Sequence, residues 1–282
     1  MRTRRSPLLA LLLSVVFVTA LAPVRANAAT VWTFNTYRSS GYLTQDPYYT
    51  ACTGAAAMMM LNFAALSGAG GRGFTWRTSR IKNVATDPRD MVSMYTFARG
   101  HDTLVSTSPG SDAHGWRNAL NYFGWGNAAM TDPAMRVYDD RAFGSFDSAV
   151  RAAVLAIARY KLPVGMLGWA GGHAQVITGY KVTGEDPAFS SSFTVNAVYL
   201  SDPLASNNIV NTLVSVTSLK SGSLKVRFRR YIEADSPHDD PYTPGVIRSS
   251  VRTGPSEWYG RYVLVLPIRA GIPLVRRSQT AP

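Results

Sequence analysis

The sequence predicts an α+β domain, with helices in the first half and an antiparallel sheet built mainly by the second. Two observations carry this. Apolar residues recur at helical spacing in long segments up to about residue 160, and from residue 163 onward they fall in short β-rich runs bounded by Gly, Pro, Asn or Asp. The 53–66 segment, "TGAAAMMMLNFAAL", is apolar on almost every side, as expected of a helix buried all round.

The elements follow in chain order. Residues 1–28 read as an export signal: arginines in "MRTRR", the apolar stretch "LLALLLSVVFVTALA", and a small-residue cleavage pattern "ANA" ending at Ala28. The Arg4-Arg5 pair also permits the twin-arginine route. The apolar stretch is short for a membrane span, so a single domain over 29–282 is expected outside the membrane, secreted or held in the cell envelope, with no stable insertion. The 53–66 helix is stopped by "GAGGRG" (68–73). "TDPRDMVSMYTFARG" and "DAHGWRNALNYFGWG" predict two shorter helices, each closed by glycine. "SFDSAVRAAVLAIARY" (145–160) predicts a helix with Phe146, Val150, Val154 and Ile157 on one face and Ser145 or Asp147 as its cap. Strands are predicted at 163–169, 173–181, 193–200, 223–232 and 261–268, with "ADSPHDDPYTPG" (234–245) as a loop and 269–282 as a tail.

Charge and cysteine usage narrow the function. The net charge is +12, of which Arg2, Arg4, Arg5 and Arg25 in the signal account for four, leaving +8. That excess suits an anionic setting such as cell-wall phosphate; no motif for nucleic acid accompanies it, and none is expected as a partner. Only "KVRFRR" (225–230) is dense in charge. The chain has one cysteine, Cys52, which outside the cytosol has no internal disulfide partner and is open to oxidation. Keeping it raises the question of catalysis, although a lone cysteine is also an ordinary small core residue.

The residues a cysteine nucleophile needs are present. Cys52 opens the 53–66 helix, where unpaired N–H groups and the helix dipole favour a thiolate. Among the histidines, His101, His114 and His238 lie in polar sequence and read as surface residues. His173 begins an apolar strand after two glycines, in "GGHAQVITGY". If strands 173–181 and 193–200 form a hairpin around "TGEDPAFSS", residue 173 falls opposite roughly residue 200, and Asp202 in "YLSDP" lies just past the strand end beside His173. Gln45, seven residues before Cys52, is a candidate oxyanion donor with the Cys52 N–H. No HxxxH or CxxC spacing points to a metal, no cofactor motif is present, and no GxSxG points to a serine nucleophile.

Gln45, Cys52 at a helix start, "GGHAQVITGY" and "YLSDP" together resemble the C39-like cysteine peptidases of the papain-like superfamily, over about residues 42–205. The resemblance implies a helical N-terminal part, its central helix buried, packed on an antiparallel sheet, with residues 206–268 as a strand extension. It implies Cys52 as nucleophile, His173 as general base and acid, Asp202 as its orienter and Gln45 in the oxyanion hole. One departure is plain: the family's "CGPAS" is "CTGAA" here, so Gly54 is expected to loosen backbone beside the cleft and Thr53 to add a branched side chain there. Three functions follow as expectations: a secreted thiol hydrolase of peptide or isopeptide bonds, a silent peptide- or wall-binding module of the same fold, or a hydrolase of peptidoglycan stem peptides.

Overall fold

A computed structural model describes residues 29–66, 88–102, 110–232 and 258–270. The predicted signal, the glycine stop at 68–73, the 234–245 loop, His238 and the tail beyond Ala270 lie outside the described residues. Within them the fold is α+β, and all paired strands run antiparallel.

The helices are α1 (Cys52–Leu66), α2 (Pro88–Arg99), α3 (Ala113–Trp125), α4 (Asn127–Thr131), α5 (Phe146–Tyr160) and α6 (Val216–Ser221). The strands are β1 (Val31–Asn35), β2 (Tyr138–Phe143), β3 (Val164–Gly168), β4 (His173–Gly184), β5 (Phe193–Ser201), β6 (Thr212–Ser215) and β7 (Tyr262–Pro267). The sheet runs β2-β7-β3-β4-β5-β6, and β1 also pairs with β4. β5 occupies one edge of β4, so β3 and β1 share the other, β3 along 173–177 and β1 along 179–183.

Alternation along the strands divides the apolar residues between two cores. Leu167, Ala174, Val176, Val263 and Val265 meet α1, α2 and α3 on one face. Val164, Met166, Ile177, Leu264 and Leu266 meet α5 on the other. α1 is buried from Cys52 through Ala64, as its uniform apolarity predicts. Ser145 caps α5 by accepting from the Ser148 N–H, and Asp112 caps α3 by accepting from Gly115.

Three expectations are corrected. Residues 223–232 form no strand: Phe228 is drawn into the α5 core against Phe146 and Tyr262, and turn bonds such as Arg227 N–H to Ser223 C=O curl the segment. Among the described residues only an isolated bridge, Tyr231 to Tyr259, joins it to another segment as a β-pair. The 206–268 region is therefore only partly a strand extension, holding β6, α6 and β7 among its described residues. The first half, read as helical, also holds β1 and β2. β2 carries "DD" in mid-strand, and Arg117 and Arg136 neutralise that pair at 2.8 and 2.9 Å.

Gly54 does not loosen the cleft. A Cβ there would lie 2.8 Å from the Met91 carbonyl oxygen and 2.8 Å from Tyr95 Cβ, so α2 rests directly on this position. Thr53 is likewise buried, 2% exposed. Gly54→Ala is expected to lower stability by about 2 kcal/mol, because the overpacking of two backbones exceeds the helix-propensity gain. Urea unfolding would measure this against Gly144→Ala, where nothing lies within 4 Å and no loss is expected.

Candidate active site

The site forms where the start of α1 meets the start of β4. β3 and β4 are joined through Trp169, Ala170, Gly171 and Gly172, and the first three have φ of 51°, 59° and 109°. A left-handed conformation is natural for glycine and costs the other two roughly 1–2 kcal/mol each. In this tight return the Trp169 ring stacks on the His173 imidazole, with centroids 4.2 Å apart and planes at 28°. Tyr231 fills the space over Gly171, and the Ala170 carbonyl accepts from the Ile232 N–H at 2.7 Å. The strained turn is thus held from outside by 231–232.

His173 interacts with both Asp202 and Cys52. Its Nε2 donates to Asp202 Oδ1 at 2.6 Å, and Cys52 lies near enough to the same imidazole to favour its protonated form. With Nε2 committed to Asp202, Nδ1 is the nitrogen left for the thiol. Burial pulls the imidazole toward its neutral form. The Asp202 carboxylate, the hydrogen bond to it and the contact with Cys52 outweigh burial, and the His173 pKa is raised to about 9. For Asp202 burial is again the largest influence and favours protonation. His173 and the donors Asn207 and Leu204 overcome it and hold the carboxyl below its ordinary value. At neutral pH the pair is an imidazolium and a carboxylate.

The register that brings Asp202 to His173 differs from the expected one. β4 runs on to Gly184, so the hairpin loop begins at Glu185, and Val176 pairs with Ser201. Continued, that register sets Asp202 opposite Gln175. Asp202 reaches His173 diagonally from beyond the end of β5.

Upstream of α1 the chain is fastened to the same loop. Tyr42 Oη donates to the Asp202 carbonyl at 2.9 Å, and the Gln45 N–H donates to the Pro203 carbonyl at 2.8 Å. Burial, then the nearby Asp202 charge, push the Tyr42 pKa up to about 12, so it stays a donor. Gln45 is buried; its side-chain amide donates to the Tyr49 carbonyl, and its Oε1 has no partner. One N–H of that amide is therefore spent on the local turn. The Cys52 N–H is one of the first-turn amides that a helix itself leaves without an acceptor.

Gln175, Asn207 and Trp169 were not singled out by the sequence. Gln175 lies two residues after His173 and so shares its face of β4, which is the signal that marks it. His101, expected at the surface, is half-buried, with Nδ1 2.8 Å from the Phe97 carbonyl oxygen and its ring stacked on Phe97. His114, also expected there, is half-buried 3.2 Å from Asp140. Among the described residues no group of three or more His, Cys, Asp or Glu side chains could hold a metal ion. No helix among them is long and apolar enough to cross a membrane.

Comparison with protein families, curated proteins and solved structures found no match. The site's own geometry therefore carries the functional reading. A thiol beside a charged imidazole, itself fixed by a buried carboxylate, is chemically equipped for nucleophilic attack followed by proton return.

Proposed function

We propose that the protein is a secreted cysteine hydrolase of papain-like fold that cleaves a peptide or isopeptide bond. The observation that carries this reading is His173 hydrogen-bonded to Asp202 and close enough to Cys52 for the sulfur to favour the imidazolium. The positive charge favours substrates set in an anionic matrix, so peptidoglycan stem peptides are the natural wall-borne candidates beside free peptides.

In this mechanism the Cys52 sulfur, as thiolate beside the imidazolium, attacks the scissile carbonyl carbon. The C=O electrons move to oxygen, and the Cys52 N–H with the free N–H of Gln45 stabilises that oxyanion. As the tetrahedral intermediate collapses, His173 gives its proton to the departing amine and a thioester to Cys52 remains. Neutral His173 then takes a proton from water as the water oxygen attacks the thioester carbonyl carbon; collapse of this second tetrahedral intermediate breaks the C–S bond, releases the acid product and restores the Cys52 thiolate beside the imidazolium. Asp202 keeps the imidazole aimed throughout. Cys52 is 9% exposed, His173 3% and Asp202 0%, so substrate would approach from the sulfur side. The "CTGAA" departure concerns the packing of α1 on α2 rather than this chemistry, which weighs against a silent binding module.

The lone cysteine makes the test clean. Iodoacetamide at pH 7 is expected to label folded Cys52 at least about tenfold faster than the urea-unfolded chain, and His173→Ala should remove that advantage. Labelling no faster in the folded protein would sink the proposal. Turnover is then sought on casein-derived peptides and on purified sacculi, with Cys52→Ala as the inactive reference.

A further inference from the structure

We infer that Gln175 is a positioning residue for the His173–Asp202 pair, and that through it residues 223–232 form part of the site's scaffold. This rests on the reading of Cys52 and His173 given above and adds a residue to it.

Asp202 is fully buried, so its carboxylate depends on protein donors. Oδ1 accepts from His173 and from the Leu204 N–H at 2.7 Å. Oδ2 accepts from Gln175 Nε2 at 2.7 Å and from Asn207 Nδ2 at 2.8 Å. The first pair aims the carboxylate at the imidazole; the second stops it from turning away. Asn207 is on a half-exposed loop, whereas Gln175 is 0% exposed and lies within β4. Gln175 is therefore the rigid one of the two Oδ2 donors.

Its amide has one workable orientation. Nε2 also donates to the Lys225 carbonyl at 2.8 Å, so both N–H groups are committed, one to Asp202 and one to the 223–232 segment. Flipping the amide would set Oε1 against two acceptors. Held as it is, Oε1 is buried without a partner, a cost that the fold accepts. Gly168 makes room for it: a Cβ there would stand 2.7 Å from Oε1. The same segment also tops the Trp169–Gly171 turn through Tyr231 and Ile232. The segment thus braces both the ring stacked on His173 and the carboxylate bonded to it.

The test uses the full chain and the pH profile of Cys52 labelling by iodoacetamide, with thermal unfolding recorded for each variant. Gln175→Leu is expected to slow labelling at pH 6 by about tenfold, the equivalent of one pKa unit in the pairing, while the rates converge at pH 10, where an unpaired thiol is ionised anyway. A merely structural role would lower the melting temperature without changing the profile. Gln175→Glu keeps size and shape. Its carboxyl and Asp202 share one proton in acid, so a donor to Oδ2 survives there and is lost as that proton leaves, giving a limb that the parent profile lacks. Profiles of both variants that superimpose on the parent's would overturn the inference. If Gln175→Leu fails to fold, the presence or absence of the extra limb in Gln175→Glu decides it alone. Slow labelling in the parent itself would instead overturn the reading of Cys52, and this inference with it.

Discussion

Asp202→Asn is expected to abolish the rapid labelling of Cys52 at neutral pH and to destabilise the fold by about 3 kcal/mol, the lower end of what breaking a buried ion pair costs. Four donors converge on this carboxylate: the imidazole Nε2, the Gln175 and Asn207 amides and the Leu204 N–H. An asparagine offers one oxygen and turns an NH2 group toward two of them, so donors face donors in a space without solvent. The charge effect is separate. With the carboxylate gone, burial becomes the dominant influence on His173 and drives it toward the neutral ring, which holds a thiolate poorly. Urea unfolding reads the first consequence and the pH 7 alkylation rate reads the second. Neutral-pH labelling that survived in a folded Asp202→Asn protein would show that Cys52 does not depend on this pair.

Where the pattern in the chain was strong, it reported the structure well. Uniform apolarity marked α1 as buried, and the Ser145 and Asp112 side chains cap helices whose faces were already periodic. His173 at the head of a strand and Asp202 past the end of the next were legible because a hairpin must return. Their register was not. "TG" at 183–184 reads as turn sequence but continues β4, and bulges between Ile177 and Gly179 and between Lys181 and Val182 alter the pairing again. The diagonal reach of Asp202 absorbed the error. β2 was hidden because adjacent aspartates argue against a strand until Arg117 and Arg136 are placed beside them. The alternation of "KVRFRR" misled for the opposite reason: burial of Phe228 satisfies it without a paired neighbour. Gly54 was misread because only the position of α2 shows what it packs against.

Stability is expected to fall as pH rises from mildly acid toward 9, and the fall divides between two groups. His173 titrates near 9 in the fold against about 6.5 in an unfolded chain. A raised pKa means that its contribution is complete below 6.5 and lost as pH climbs through 9; the difference corresponds to roughly 3 kcal/mol. Asp102 adds a lower window. Burial first, and the neighbouring Asp112 charge second, raise its pKa to about 7, so the fold holds a proton that an unfolded aspartate releases near 4. That contribution is present below about 4 and lost as pH rises toward 7. Asp202 has the opposite sign: its pKa is lowered, and its contribution is lost only in acid, as pH falls from the unfolded value near 4 through its folded value. Urea midpoints at pH 5, 7 and 9 separate these. Asp102→Asn, which can keep the bonds from Ser111 and the Asp112 N–H, should flatten the interval from 5 to 7. His173→Gln should lower stability at pH 5 yet flatten the interval from 7 to 9. An undiminished fall between 7 and 9 in that variant would assign the upper window to some other group. In the mechanism proposed above, the ionisation that costs stability there is also the one that would deprive the leaving amine of its proton donor. The stability midpoint above neutrality and the alkaline limb of any hydrolysis in which breakdown of the tetrahedral intermediate limits the rate should therefore report the same group.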